Sequence, residues 1–251
     1  PILAALGVAL LLLGTVVLIR AGRSRSRQPP PATGEPALAA LDQAAAVQRL
    51  RRAVQFATIS YSDPARRPDA AFIGLRDYLA QAFPRAHAAL QREVVAGHSL
   101  FYTWRGSQPA LPPLLLMGHI DVVPLEPGTE ARWTAPPFAG EIRDGYLWGR
   151  GTMDDKAGVV STLEAIEGLL GQGFAPRRTL YLAFGHDEEA GGTGAAAMAR
   201  LVRERGPAPV LVMDEGLAIT QGLMPGVSGP VALLGTGQKG YLSVELRVAA
   251  E

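Results

Sequence analysis

A histidine and an aspartate stand two residues apart in segment 117–124 (MGHIDVVP), directly after an apolar run. On an extended strand, residues i and i+2 point to the same face, so His119 and Asp121 can lie side by side. His119 could then offer one ring nitrogen to a metal ion while Asp121 orients the ring. This pair alone is weak evidence, because a single histidine is more often a satisfied core residue than a ligand.

Three acidic motifs follow this pair along the chain. They are 149–156 (GRGTMDDK), 185–189 (GHDEE) and 212–216 (VMDEG). The last two come directly after apolar, strand-like runs, and the first lies in a glycine-flanked loop that leads into a predicted helix. Ligand sites in open α/β sheets collect at the carboxyl ends of the strands. The topology therefore predicts that these motifs converge with His119 at one edge.

The residue types at this edge predict a metal site. The chain has no cysteine and four histidines, so a metal ion must be held by imidazole and, mostly, by carboxylates. Zinc is the first choice for such ligands, and cobalt or manganese are plausible replacements. Several carboxylates in one place repel each other unless cations neutralise them. Two ions that share a bridging carboxylate would do so and would hold a water as the nucleophile.

Strands and helices alternate along the segments that must position these motifs. Apolar periodicity predicts the following elements: helices over 38–56, 71–83, 157–170 and 194–204, and strands over 100–104, 114–117, 179–184 and 210–213, the last of them buried. Such alternation is typical of an α/β fold, here a three-layer, mostly parallel sheet with crossover helices. Within residues 100–117 the sequence does not determine whether the strands all run parallel or in mixed directions.

The N-terminal segment 1–19 is uncharged and predicts a transmembrane or signal-anchor helix; a cleaved signal peptide is the alternative. Segment 20–37 is a basic and Pro-rich linker. We therefore expect a membrane-anchored or secreted protein of undetermined sidedness. The chain starts at Pro1 and stops inside a predicted strand over 241–248, so we expect it to be part of a longer protein.

The amino-acid composition indicates what kind of protein this is. The 251 residues are 48% hydrophobic and 19% charged, which fits a globular domain with an added apolar segment. The formal net charge of +1 gives no reason to expect a nucleic-acid partner.

The run from Leu114 to Asp214 resembles the catalytic core of the M20 metallopeptidases. Segments 118–124, 133–140 and 144–151 are most similar to the branch that holds carboxypeptidase S (Gly-Xaa carboxypeptidase) and the N-fatty-acyl-amino-acid synthase/hydrolases. The resemblance implies a zinc-peptidase-like catalytic domain over 38–238. It also implies a lid domain, through which the protein could form a homodimer, that begins at 239–251 and is truncated here.

The resemblance also implies a role for each candidate residue. His119 and Asp214 would hold one zinc ion, Glu189 would help to hold the other, and Asp154 would bridge the two. Among the catalytic residues, Glu188 would be the general base. Asp121 would support His119, and the remaining metal histidine of the family would lie beyond Glu251.

For several residues near these candidates, a structural role is weighed against a role in the site. Asp187 and Glu215 could also be ligands, but on an extended backbone one member of each pair faces away, and the family pattern favours Glu188, Glu189 and Asp214. Asp155 is predicted to be a first-turn acid favoured by the helix dipole. Lys156 either neutralises the acids or is exposed, His186 packs nearby, and His87 and His98 lie at the surface. Trp133 and Phe138 line a substrate channel or belong to the core.

The predicted function is that of a metal-dependent amidohydrolase or carboxypeptidase. It would cleave the amide of small peptides or N-acyl amino acids through a metal-activated water. The alternatives are an N-deacylase of a biosynthetic amino acid and a non-catalytic, receptor-like protein on the same scaffold.

Overall fold

The computed structural model describes residues 2–24, 41–216, 219–237, 244 and 246–248. It forms two units, Pro1–Leu38 and Ala39–Glu251. In the first unit, helix α1 (Ile2–Arg23) is long and apolar enough to cross a membrane, a test that a signal sequence also passes. The helix extends beyond the predicted segment 1–19 into the basic stretch. Residues 25–37 of the predicted linker lie outside the described residues.

The second unit is built around a five-stranded sheet. Its strands are β1 (Gln91–Val95), β2 (Ser99–Trp104), β3 (Leu114–His119), β6 (Leu180–Gly185) and β7 (Leu211–Met213). They lie in the order β1-β2-β6-β3-β7. Strands β6, β3 and β7 are parallel, whereas β1 and β2 add an antiparallel edge. The predicted α/β class is confirmed, and the direction of β2, which the sequence left open, is antiparallel to β6.

The remaining described elements of this unit are five helices, two hairpins and three 3-10 turns. The helices are α2 (Gln43–Val54), α3 (Asp69–Ala82), α4 (Pro84–Ala89), α5 (Lys156–Gly171) and α6 (Thr193–Glu204). Two hairpins pair β4 (Glu141–Arg143) with β5 (Tyr146–Trp148) and β8 (Thr220–Gln221) with β9 (Pro230–Val231). Three 3-10 turns cover Pro64–Arg66, Glu130–Arg132 and Glu188–Ala190.

The core lies on both faces of the sheet. On one face, Leu100 and Tyr102 of β2 pack with Leu163 of α5 and with the buried side chains of α3 and α4. On the other face, Phe101 packs with Met198 of α6. Side chains alternate between the two faces of a strand, so β2 is apolar at successive positions because both of its faces are covered. Helices on both faces give the three layers that the sequence predicts.

Strand β7 differs from its prediction as a buried strand. Leu211, Val212 and Met213 are each about half exposed, because β7 pairs with β3 alone among the described strands. An apolar run identifies a strand, but its burial depends on what covers the neighbouring edge. The predicted start of a lid domain at 239–251, with its strand over 241–248, lies mostly outside the described residues and stays a prediction.

A bidentate ion pair ties α2 to α5. The guanidinium of Arg49 donates from Nε and Nη2 to the two carboxylate oxygens of Glu164, which is buried. Glu164→Gln should lower the free energy of unfolding by about 2–3 kcal/mol, because it leaves a half-buried guanidinium without its counter-charge. Chemical denaturation measures this difference. Asp77→Asn, which breaks the exposed Arg76–Asp77 pair, is the control and should cost less than about 1 kcal/mol. Equal losses would show that the α2–α5 pair contributes nothing beyond a surface contact.

Candidate metal centre

The buried imidazole of His119 lies at the end of β3 and faces the acidic motifs. Its Nδ1 is 3.1 Å from the carbonyl oxygen of Asp121 and 3.3 Å from an Asp121 carboxylate oxygen. Its Nε2 lies 2.8 Å from Oδ1 of Asp154. Burial lowers the pKa of His119, but hydrogen bonding to Asp121 and the nearby acids raise it to about 10 overall. One nitrogen is therefore fixed by Asp121 and the other is directed towards carboxylates, as a metal-ligating histidine requires.

The fully buried carboxylate of Asp121 also positions the acidic turn after β6. Its two oxygens accept hydrogen bonds from the backbone N–H groups of Glu188 and Glu189, each at 3.2 Å. Burial alone would raise the pKa of Asp121, but the hydrogen bond and charge of His119 hold it below its usual value. Asp121 thus connects the imidazole to both glutamates.

Glu188 and Glu189 follow β6, the parallel neighbour of β3. The register pairs His119 with Gly185, so the acidic turn begins beside the histidine. One ligand atom from each of His119, Glu188 and Glu189 falls within 4.8 Å of the others. Burial, followed by the charge of Asp154, raises the pKa of Glu189.

The carboxylate of Asp187 has a structural role at the start of α6. It accepts hydrogen bonds from the backbone N–H groups of Thr193 and Gly194, each at 2.9 Å, and so caps α6. Its neighbour His186 is buried and hydrogen-bonded to the hydroxyl of Ser99 at 2.7 Å, in line with the predicted packing role. Neither residue belongs to a ligand group among the described residues.

The loop before α5 places Asp154, Asp155 and Lys156 in three different environments. Asp154 is exposed and points at His119, whereas Asp155 is buried and accepts a hydrogen bond from the backbone N–H of His119 at 3.2 Å. Burial raises the pKa of Asp155 to about 6. Asp155 lies one residue before α5, which has no acid in its first turn, so the prediction of a first-turn acid is wrong: its carboxylate binds the backbone of His119 instead. Lys156 is not exposed: its ammonium is buried and donates to the carbonyl of Phe56 at 2.5 Å.

After β7 the structure brings Glu215, and not Asp214, to the histidine. Oε2 of Glu215 lies 3.4 Å from Nε2 of His119, and His119, Asp154 and Glu215 form a second group of ligand atoms within 4.8 Å. Asp214 instead accepts a hydrogen bond from the backbone N–H of Glu215. Burial, opposed by the charge of His119, raises the pKa of Glu215 to about 7. Because side chains alternate along an extended backbone, the sequence predicts that only one of Asp214 and Glu215 faces the site, but it does not identify which one. The ligand role of Asp214 therefore stays a prediction.

The two histidines predicted to lie at the surface are partly buried. The ring of His87 contacts the carbonyl of Phe83 and the hydroxyl of Tyr102, and His98 contacts Asp69 at 3.0 Å. The carboxylate beside His98 comes from Asp69, which is distant in sequence, so the sequence context of His98 did not indicate it.

The donor set fits a divalent cation. One imidazole nitrogen and four carboxylates converge, and burial together with mutual repulsion raises the pKa of Glu189 and of Glu215. A cation would remove this repulsion. Nitrogen and oxygen ligands of this kind suit zinc, cobalt or manganese.

Measurements of metal binding can show which of Asp214 and Glu215 is the ligand. Glu215→Ala should weaken zinc binding by more than about a hundredfold, because even residues that only orient a ligand contribute about 10–100-fold. Asp214→Ala should change it little. Isothermal titration of the full-length protein with zinc measures both. A larger loss for Asp214→Ala would restore the sequence-based assignment.

An α/β sheet that gathers one histidine and several carboxylates at the ends of its parallel strands is typical of metallopeptidases. The chain belongs to peptidase family M20/M25/M40, whose model matches residues 115–247. The resemblance inferred from the motifs is thereby confirmed.

The relatives come from the branch that the motifs predict. Probable carboxypeptidase S-like 2 of Dictyostelium discoideum is 44% identical over 210 residues, which are 80% of this chain and 39% of the relative. N-fatty-acyl-amino acid synthase/hydrolase PM20D1 of Xenopus tropicalis is 38% identical over 96% of this chain and 46% of its own length. The chain thus spans less than half the length of these relatives.

Solved structures share the fold. Human carnosine dipeptidase 1 superimposes with a TM-score of 0.54 at 22% identity, over 71% of this chain and 40% of that one. The M20 family metallo-carboxypeptidase Sso-CP2 of Sulfolobus solfataricus superimposes with a TM-score of 0.54 at 20% identity, over 70% of this chain and 37% of that one.

Proposed function

We propose that the full-length protein is a metal-dependent amidohydrolase or carboxypeptidase. It would cleave the amide next to a free carboxylate in small peptides or N-acyl amino acids. The observation that carries this proposal is the convergence of His119, Asp154 and the Glu188–Glu189 pair, with Asp121 holding both sides in place. The names of the relatives, which include a carboxypeptidase S and N-fatty-acyl-amino acid synthase/hydrolases, support the same substrate classes.

His119, Asp154, Glu189 and one of Asp214 and Glu215 would hold the ions, with Asp154 as the bridging ligand. Zinc is our first choice. One group of ligand atoms contains Asp154 and Glu215 and the other contains Glu188 and Glu189, with His119 in both, and the role of Asp154 as the bridge between two ions comes from the family resemblance. When bound, such ions polarise the amide carbonyl and make a water more acidic. Asp121 fixes the ring of His119 and the backbone of the acidic turn, so the ligands are positioned before substrate arrives.

Glu188 is the proposed general base. Its backbone is held by Asp121 while its side chain is exposed, so it can reach a water at the site without being tied to another residue. Its carboxylate would take a proton from the attacking water and deliver it to the amine that leaves.

The apolar helix α1 supports attachment to a membrane or export through one. We therefore propose a membrane-anchored or secreted enzyme. Dimerisation through a lid domain after residue 238 is a further proposal from the family resemblance.

Chelation tests the proposed activity. The full-length protein should hydrolyse N-acyl amino acids or dipeptides, lose this activity in a chelator and regain it on addition of zinc, cobalt or manganese. Liberated amine reports the rate. Hydrolysis that survives complete removal of metal, or no hydrolysis of either substrate class after metal is supplied, would reject the proposal.

A further inference from the structure

Loop 149–155, which leads from β5 to α5, carries Asp154 but does not enclose its side chain. That side chain is 68% exposed, so the position of its carboxylate depends on where the backbone of the loop lies. Near its start the loop is tied to the body of the protein, because the backbone N–H of Arg150 donates to the carbonyl of Pro137 at 2.7 Å. At its end, the backbone N–H of Lys156 donates to the carbonyl of Gly151 at 3.2 Å.

Lys156 differs from the other basic residues of the chain. Of the 24 basic residues, 22 are arginine and two are lysine, Lys156 and Lys239. Lys156 is only 1% exposed, and no arginine among the described residues is buried. A compact ammonium on an unbranched chain needs less room than a planar guanidinium, so the two residue types are not interchangeable at a buried site. The position therefore stands apart in both residue type and burial.

The side chain of Lys156 crosses from the loop to the backbone of Phe56. Its Nζ donates to the carbonyl oxygen of Phe56 at 2.5 Å, a contact between residues 100 positions apart. On the way it packs against Gly151, where a Cβ would lie 3.4 Å from Cδ of Lys156. Burial lowers the pKa of Lys156, whereas the negative charge of Asp121 raises it, so this carboxylate and the ammonium attract each other.

Segment 56–60, which contains the acceptor of Lys156, lies beside Asp121. The backbone N–H of Val122 donates to the carbonyl of Thr58 at 3.0 Å, and the hydroxyl of Thr58 donates to the carbonyl of Ile120 at 2.6 Å. The residues on both sides of Asp121 are therefore bonded to this segment. Because Asp121 also holds the ring of His119, the segment belongs to the part of the structure that fixes the histidine.

We propose that Lys156 is a positioning residue of the metal centre, which fixes loop 149–155 against segment 56–60 and so sets the separation between Asp154 and His119. This inference rests on the proposed function and adds to it a residue that is neither a metal ligand nor the base. Without this connection the loop could shift, and the carboxylate of Asp154 would shift with it. Residues that orient a metal ligand typically contribute about 10–100-fold to metal affinity or activity.

Lys156→Met tests this role, because methionine keeps a long unbranched side chain but cannot donate to Phe56. In the full-length protein the zinc affinity, measured by competition with a chelator, should fall by about 10–100-fold. The visible absorption of the cobalt-loaded protein should also change, since it reports the arrangement of the ligands. With zinc in excess, kcat should fall while KM for a dipeptide or an N-acyl amino acid stays within about twofold.

Glu164→Gln is the matched control on the same helix. It breaks the ion pair between α5 and Arg49 and lowers the stability of the protein without touching loop 149–155. Its zinc affinity and cobalt spectrum should therefore equal those of the unchanged protein. Thr58→Val is a second variant, which keeps the shape of the side chain but removes its hydrogen bond to Ile120. It should weaken zinc binding by about two- to tenfold, the equivalent of one hydrogen bond.

The inference is overturned if Lys156→Met keeps the zinc affinity and cobalt spectrum of the unchanged protein, or if Glu164→Gln changes them equally. If Lys156→Met does not fold, unchanged zinc binding in Thr58→Val overturns it instead. An unchanged protein that binds zinc but hydrolyses neither substrate class would reject the proposed function, and the metal affinities would still decide the role of Lys156. An unchanged protein that binds no zinc, cobalt or manganese would reject both.

Discussion

Glu188→Gln should lower kcat by about a hundred- to ten-thousandfold while the protein keeps its metal, since this is the usual contribution of a single general base. The amide of Gln preserves the shape of the side chain but cannot take a proton from water. The backbone hydrogen bond from residue 188 to Asp121 stays, so the acidic turn should keep its position. Rates of amine release and metal content by elemental analysis are measured on the same sample of full-length protein.

The adjacent glutamate is the matched control for this experiment. Glu189→Gln should reduce metal content, because Glu189 is the proposed ligand, and burial and then the charge of Asp154 raise its pKa. If Glu188→Gln lost metal and Glu189→Gln kept it, the roles of the two glutamates would be reversed.

Asp154→Ala is the second change with a large expected effect. As the proposed bridge between two ions, Asp154 contributes to both, so its removal should release more than one equivalent of metal and abolish measurable turnover. It would also leave Glu189 and Glu215 without neutralising cations, which increases the repulsion between the remaining carboxylates. Elemental analysis after dialysis, compared with the unchanged protein, gives the number of ions lost.

Asp155→Asn is the control for the bridging role. The side chain of Asp155 is buried and accepts a hydrogen bond from the backbone of His119, and an Asn oxygen can accept the same bond. Metal content should therefore remain close to that of the unchanged protein. A loss of metal from Asp155→Asn equal to that from Asp154→Ala would contradict the assignment of the bridge.

Most of the fold could be predicted from the sequence because it depends on local patterns. The apolar runs at β3 and β6 and the periodic segments at α5 and α6 are strong signals, and the observed elements differ from the predicted ones by a few residues at each end. The convergence of His119 with the acidic motifs followed from parallel strands that end at one edge of the sheet. Nothing beyond the order of strands and helices was needed for that inference.

The sequence by itself therefore determined the fold class, the family and the edge of the sheet where the ligands meet. The tertiary structure decided which acid after β7 contacts His119, that Lys156 is buried under the site, and that β7 is exposed along its length. Each of these depends on the register or the coverage of a strand by segments distant in the chain. Alternation along a strand fixes which residues share a face, but the face that meets the site is chosen by the pairing between β7 and β3.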